Sequence, residues 1–216
     1  ETTVDSTDPS VSVTIGTSSG SALPGNDVIY SFVITNTGNA EEIFSYSAIS
    51  GNDWGLAVAG NEVTLGMGQT HTVEVTHTVS ESASSGDSDT ITFDAAGGFP
   101  DGASRTATTT SEQTYGASIT LDDSNQPSTL NPGDSFTISY TVTNNGNGAD
   151  SFSVFFDAAW MSGSSGTSLS LAEGATGTST LTITVPDDAA SGSSSTALAS
   201  VAGGGGETAV YGLQTF

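Results

Sequence analysis

The sequence predicts an all-β protein made of two tandem Greek-key β-sandwiches. Three observations predict it. Apolar and polar residues alternate with a period of two in segment after segment, turn-forming residues separate those segments, and the second half of the chain repeats the first. No stretch sustains the 3.6-residue period of an amphipathic helix.

The elements follow in order. Val11, Val13 and Ile15 open the first module, and Leu23-Pro24-Gly25 then marks a turn. Val28, Tyr30, Phe32 and Ile34 alternate with Ile29, Ser31, Val33 and Thr35, which is the pattern of a half-buried strand. Asn36-Thr37-Gly38-Asn39 turns the chain again. Strands are expected at Ile43 to Ala48, Val63 to Leu65, Thr70 to Val79 and Thr90 to Ala95. The second module repeats this at a constant offset of 108, so that Pro132-Gly133-Asp134 is followed by Phe136, Ile138, Tyr140 and Val142 and then by Asn144-Asn145-Gly146-Asn147. From Trp54 and Trp160 onward the offset is 106, a length change of the kind loops tolerate. The matching strands are Ile119 to Leu121, Ser151 to Phe156, Leu169 to Leu171, Thr178 to Val185 and Thr196 to Val201, with Thr208 to Phe216 closing the chain. About seven short strands in about 100 residues is the arithmetic of a two-sheet sandwich. The expected division is an extension over residues 1–9, one sandwich over 10–113 and another over 114–216. Phe32, Trp54, Tyr140 and Trp160 are expected in the two cores, because a Trp at equivalent places in a repeat usually packs between sheets.

Composition narrows the function. The 216 residues carry 24 Asp or Glu against one Lys or Arg, a formal net charge of −23, and no Cys. A chain so poor in cations cannot neutralise a row of phosphates, so nucleic acid and anionic membrane surfaces are poor partners. No run of about 18 apolar residues is present to span a membrane as a helix. Scarce Lys with an acid excess suits a secreted or cell-surface protein, and any signal peptide is expected to have been removed before Glu1.

Each module reads as an apolar strand, Pro-Gly-Asp/Asn, an alternating strand ending in Thr-Asn-x-Gly-Asn, an acid before Phe, a Trp, an apolar-x-apolar strand, a Gly turn and a long strand ending near Val79 or Val185. This resembles the immunoglobulin-like modules of bacterial and archaeal surface or secreted proteins known as CARDB or the NPCBM-associated NEW3 domain. The resemblance covers residues 10–110 and 117–216 and implies a β-sandwich used as a spacer, surface or assembly module, with no catalytic residues. Ser80 stands where the second module has Pro186.

The residues offer little for catalysis. His71 and His77 share a strand face with Val73, Val75 and Val79, and the repeat aligns His77 with Ile183, so a structural role is expected. Serines abound, but a nucleophile needs a base. Asp122, Asp123, Asp187 and Asp188 are candidate calcium ligands as hard oxygen donors, with solvated acidic loops as the alternative and no EF-hand spacing to support them. No other cofactor is expected. Gly97-Gly98 and Gly203 to Gly206 fall between the last two strands of each module and read as hairpin turns. None of the ten Asn residues opens an Asn-x-Ser/Thr triplet, while O-linked sugars stay open.

The ends point to assembly. Residues 1–9 are polar, and Ala209, Tyr211, Leu213 and Thr215 alternate with Val210, Gly212, Gln214 and Phe216. Sandwich edges accept added strands, so Thr3, Val4, Tyr211, Leu213 and Phe216 are the expected inter-subunit residues. Copies of the same chain are the expected partner, in an extracellular filament or surface layer propagated by head-to-tail contacts. The alternative is a non-catalytic accessory pair that binds carbohydrate through Trp54 or Trp160.

Overall fold

The computed structural model describes residues 8–98, 102–122, 124 and 126–215, with side chains described as far as residue 212. The chain divides into two compact units, Glu1–Glu112 and Gln113–Phe216. Their described regular structure is all strand, and no described helix is long and apolar enough to cross a membrane.

Unit 1 holds β1 (Val11–Ile15), β2 (Ser19–Ala22), β3 (Asp27–Asn36), β4 (Glu42–Ser50), β5 (Gly55–Val58), β6 (Glu62–Leu65), β7 (Thr70–Thr78), β8 (Ser88–Ala96) and β9 (Gly102–Ser111). One sheet has the order β1-β3-β7-β5 and the other β2-β9-β8-β4-β6. Unit 2 holds β10 (Ala117–Asp122), β11 (Ser135–Asn144), β12 (Asp150–Ala158), β13 (Met161–Ser162), β14 (Gly166–Leu171), β15 (Thr176–Thr184), β16 (Thr196–Ala202) and β17 (Thr208–Thr215). Its sheets run β10-β11-β15-β13 and β14-β12-β16-β17. Successive strands within a unit alternate between its two sheets except β8–β9, β10–β11 and β16–β17, which pair directly, and this is a sandwich arrangement.

The alternation also decides what each strand buries. Tyr30, Phe32 and Ile34 point inward from β3, and Ile138, Tyr140 and Val142 from β11. Phe32 stacks on Phe93 with ring centroids 4.5 Å apart, and Tyr140 lies 5.2 Å from Phe156, so each core is knitted by an aromatic pair from facing sheets. Trp54 is buried against Val79 and Ala83. Trp160 is only half-buried, at the margin of the unit 2 core.

The repeated motifs have physical reasons. In Leu23-Pro24-Gly25-Asn26 the Asn26 amide donates to the Leu23 carbonyl at 3.0 Å, and Gly25 takes φ 79°, which a type II turn requires at that place. Asn131 to Asp134 repeats the turn, with Gly133 at φ 86°. In Thr-Asn-x-Gly-Asn the first Asn is a buried clamp. Asn36 donates to the carbonyls of Ala40 and Leu65 at 2.8 and 2.7 Å and accepts from the Gly38 amide at 2.9 Å, and Asn144 makes the same set with Gly148, Leu171 and Gly146. A Cβ on Gly38 would stand 2.6 Å from the Asp8 carbonyl, and one on Gly146 would stand 2.5 Å from that of Thr114, so the Gly lets the incoming chain pass. The last Asn holds that chain, its side-chain oxygen accepting from Asp8 or Thr114 at 2.8 or 2.7 Å.

Three strands escape the sequence pattern: β2, β5 and β13. β2 is Ser-Gly-Ser-Ala and pairs with β9 in parallel, Ser19 with Thr108 through Ala22 with Ser111, against the antiparallel rule of the rest. Its small residues are a necessity of packing, since a Cβ on Gly20 would meet Val28 Cγ1 at 2.7 Å.

Candidate functional site

The densest polar cluster buried in either unit is in unit 1. His77 from β7, Asp89 from β8 and Thr109 from β9 have relative exposures of 0, 1 and 0%. His77 Nδ1 lies 2.7 Å from Thr109 Oγ1, and Nε2 lies 3.0 Å from Asp89 Oδ2. Asp89 also accepts from the Ser50 hydroxyl and, through Oδ1, from the amides of Asn52 at 2.8 Å and Thr90 at 2.7 Å. Tyr30 extends the chain, its hydroxyl 2.8 Å from Thr109 Oγ1 and donating to the Thr108 carbonyl at 2.9 Å. Trp54 covers His77 with ring centroids 5.7 Å apart.

Burial acts to raise the Asp89 carboxyl, but the hydrogen bonds from Ser50, Asn52, His77 and Thr90 outweigh it and hold the group below its ordinary 3.8. An ionised carboxylate is an acceptor only, so the proton between Asp89 and His77 belongs to Nε2.

Hydroxyl, imidazole and carboxylate in this sequence are the parts of a nucleophile, base and orienting acid. The arrangement cannot use them so. Thr109 and His77 are fully buried, and Thr109 Oγ1 is already held between His77 and Tyr30, so no substrate carbonyl reaches the oxygen. The cluster ties β3, β4, β7, β8 and β9 together across the sandwich. His71 is separate from it, 6.2 Å from the Tyr46 ring.

Unit 2 has a second, smaller cluster. Asp150 on β12 faces Glu207 in the β16–β17 turn, and Gly203 has no room for a Cβ because the Glu207 carboxylate folds over it. Asp150 Oδ1 accepts from the amides of Ser151 at 2.7 Å and Gly204 at 3.2 Å. Desolvation and the neighbouring Asp150 raise the Glu207 carboxyl, while Asp150 is lowered by its hydrogen bond with Glu207 and by those amides.

The expected calcium ligands are not brought together. Asp122 is exposed, its carboxyl lowered by hydrogen bonds first from the Ser124 hydroxyl and then from the Ser124 amide, the latter at 3.1 Å. Asp187 and Asp188 are exposed on the loop after β15, and Asp123 lies outside the described residues. Among the described residues no three His, Cys, Asp or Glu gather as a metal would need.

The expected inter-subunit residues divide. Thr3, Val4 and Phe216 lie outside the described residues, and Leu213 lies on β17 with its side chain outside them. Tyr211 has its ring half-buried against its own core, 6.1 Å from Tyr140 in an edge-on contact.

Trp160 borders a cavity of about 540 Å³ in unit 2, lined also by Pro127, Leu130, Asn131 and Val185. The Val79 and Ala83 positions that close over Trp54 correspond to Val185 and Ala189, which here stand around open space.

Residues 120–211 match the model of the VWA7 Ig-like domain family. No curated protein matches the sequence. Among solved structures the chain is similar to the YadV chaperone, at 12% identity over 94% of this chain and 99% of that one, with a TM-score of 0.34. It is similar also to the CsuC-CsuE chaperone and tip adhesion subunit complex from archaic chaperone-usher Csu pili of Acinetobacter baumannii, at 10% identity over 94% and 97% with a TM-score of 0.34. Red sea bream transglutaminase matches at 14% identity over 99% of this chain and 31% of that one, with a TM-score of 0.30. The family match over part of unit 2 and the all-strand sandwiches support an immunoglobulin-like fold.

Proposed function

We propose that the chain is a structural subunit of an extracellular filament or surface layer, of the CARDB or NEW3 kind of module, in which copies of the chain join by strand addition, and that it is not an enzyme. The observation that carries this reading is the edge of β17. Thr208–Thr215 pairs with β16 on one side and has no ladder partner on the other among the described residues. Its sequence, Thr-Ala-Val-Tyr-Gly-Leu-Gln-Thr, has no Lys, Pro or acid to blunt that edge. The scaffold itself supports the idea, because β9, the counterpart of β17, accepts β2 in parallel on that side. With Tyr211 packed inward, the added strand would be held by backbone hydrogen bonds more than by side-chain pockets. The net charge of −23 suits a surface bathed in salt and supports a reading in which copies meet at uncharged edges. Negative-stain microscopy of purified native material should show fibres or sheets, and a monodisperse particle of 21.5 kDa at every concentration overturns the reading.

One observation favours a second reading. Trp160 presents part of its ring to a cavity with polar and apolar walls, as a carbohydrate-binding module would, whereas Trp54 is covered. Binding to a glycan array that is lost in Trp160→Ala without loss of folding would select this reading.

A further inference from the structure

The repeat shows what the cavity beside Trp160 is shaped to hold. In unit 1 the end of β9 fills the equivalent place. The Ser111 amide donates to the Asp87 carbonyl at 2.8 Å, the Ser111 carbonyl accepts from the Gly86 amide at 2.9 Å, and the Glu112 amide donates to the Ala22 carbonyl at 2.9 Å. Ser111 is buried there, and Ala22 packs against the Trp54 cluster. The residues of unit 2 at the places of Gly86, Asp87 and Ala22 are Gly192, Ser193 and Leu130, and all three line the cavity. One wall keeps its form. The Ser193 amide donates to the Ala190 carbonyl at 3.0 Å as Asp87 does to Ser84 at 3.1 Å, and Gly192 and Gly86 have φ of 85° and 88°. β17 is in step with β9 at Thr215, which pairs with Thr196 as Thr108 pairs with Thr90. The cavity is the slot of one further stretch of strand, with backbone groups on both walls.

The sequence also supplies the stretch. Asp8 and Thr114 hold the same anchored place, each amide donating to the last Asn of a turn motif, Asn39 or Asn147. Counted back from those anchors, Val4, Asp5 and Ser6 stand where Thr110, Ser111 and Glu112 stand. In unit 1 the filling stretch runs straight on into a module, and residues 4–6 do so in the same number of steps. Resting on the reading that copies join by strand addition, we propose that Val4, Asp5 and Ser6 of a second copy enter the slot beside Trp160. The Asp5 carbonyl accepts from the Gly192 amide, the Asp5 amide donates to the Ser193 carbonyl, and the Ser6 amide donates to the Leu130 carbonyl, as their counterparts do in unit 1. Charge permits this between two acidic copies. No residue lining the slot is charged, Asp187 and Asp188 do not line it, and Ser193 replaces the Asp87 of unit 1. The contact is head-to-tail and propagates.

The test reads Trp160 fluorescence, since Trp54 is already covered. A peptide of residues 1–7 added to the dilute full chain should shift the emission to the blue, and so should a peptide of residues 107–113, the stretch that fills the slot of unit 1. N-methylation of the Asp5 amide removes the donor to Ser193 and should weaken peptide binding about tenfold or more. In sedimentation equilibrium of the full chain, Asp5→Pro should weaken self-association by a similar factor, while Asp5→Asn, which keeps the amide, should not. Emission that ignores both peptides, emission that shifts with a glycan instead, or association unchanged by Asp5→Pro overturns the proposal, and fibres that form regardless leave the β17 edge as the joint. A peptide that binds while the native material stays monomeric upholds the slot and its strand and overturns the filament.

Discussion

The two units fill equivalent places in opposite ways. Where unit 1 has His77, Asp89, Tyr30 and Ser50 joined by hydrogen bonds, unit 2 has Ile183, Ser195, Ile138 and Ala158. Unit 2 shows that the fold does not require a polar centre. Unit 1 shows that the fold tolerates one when each donor meets an acceptor. Polar groups there have become interdependent, because losing any partner leaves another buried group unpaired. On the outer faces the exchange runs both ways, with Phe155 and Val210 in unit 2 where unit 1 has Ser47 and Ser104, and exposed Ile43 and Ile49 in unit 1 where unit 2 has Ser151 and Asp157.

The sharpest break of this comparison is Asp89→Ala. It strands Ser50, His77 and two backbone amides, and should cost unit 1 about 3–5 kcal/mol while the unit 2 transition stays in place, as calorimetry can read. His77→Ile alone should also destabilise, whereas His77→Ile with Asp89→Ser, the pair present in unit 2, should recover much of that loss. No recovery would mean that the network is tied to unit 1 by more than these two residues.

Asn36→Ala and Asn144→Ala should each cost about 1–3 kcal/mol, and by similar amounts, since each removes the same buried clamp. Unequal losses in denaturant melts would show that the two turns are less alike than their hydrogen bonds.

Acid should separate the units. Asp89 has its folded value lowered, so its contribution is present above its ordinary 3.8 and is lost as pH falls through the lower folded value. Glu207 has its folded value raised, so its contribution is complete below its ordinary 4.5 and is lost as pH rises through the higher folded value. Stability should therefore rise for unit 2 from pH 6 down to about 4.5, further acid should lower both units as the contributions of Asp150 and Asp89 are lost, and Glu207→Gln should flatten the first trend. Parallel curves would refute the assignment.

The smallest effect concerns two tyrosines. Tyr140 is fully buried, its hydroxyl has no partner among the described residues, and desolvation raises it, so Tyr140→Phe should be neutral or stabilising by up to about 1 kcal/mol. Tyr30→Phe should destabilise, because that hydroxyl serves Thr108 and Thr109.

Much of this was legible in the residues. The period of two placed the long strands, and the Pro-Gly and Asn-x-Gly-Asn turns marked their ends, because both signals are local and each residue carries its own part of the pattern. β2, β5 and β13 were not legible, being short and poor in β-branched side chains, and held in place by pairing rather than by propensity. The one hint of the buried cluster was His77 itself, standing where the repeat and the alternation both call for an aliphatic residue. Its partners lie 12 and 32 residues away, and nothing local marks Asp89 or Thr109 as inward-facing polar groups.

The sequence by itself determined the strand period, the duplication, the turns and the net charge, since these depend on neighbours along the chain. The tertiary structure alone decided which polar groups share a buried network, that Trp54 is covered while Trp160 borders a cavity, and that Tyr211 faces its own core. Those outcomes depend on how strands distant in sequence are brought into register and on how two sheets meet, and a single strand's alternation specifies a face without specifying what it will face.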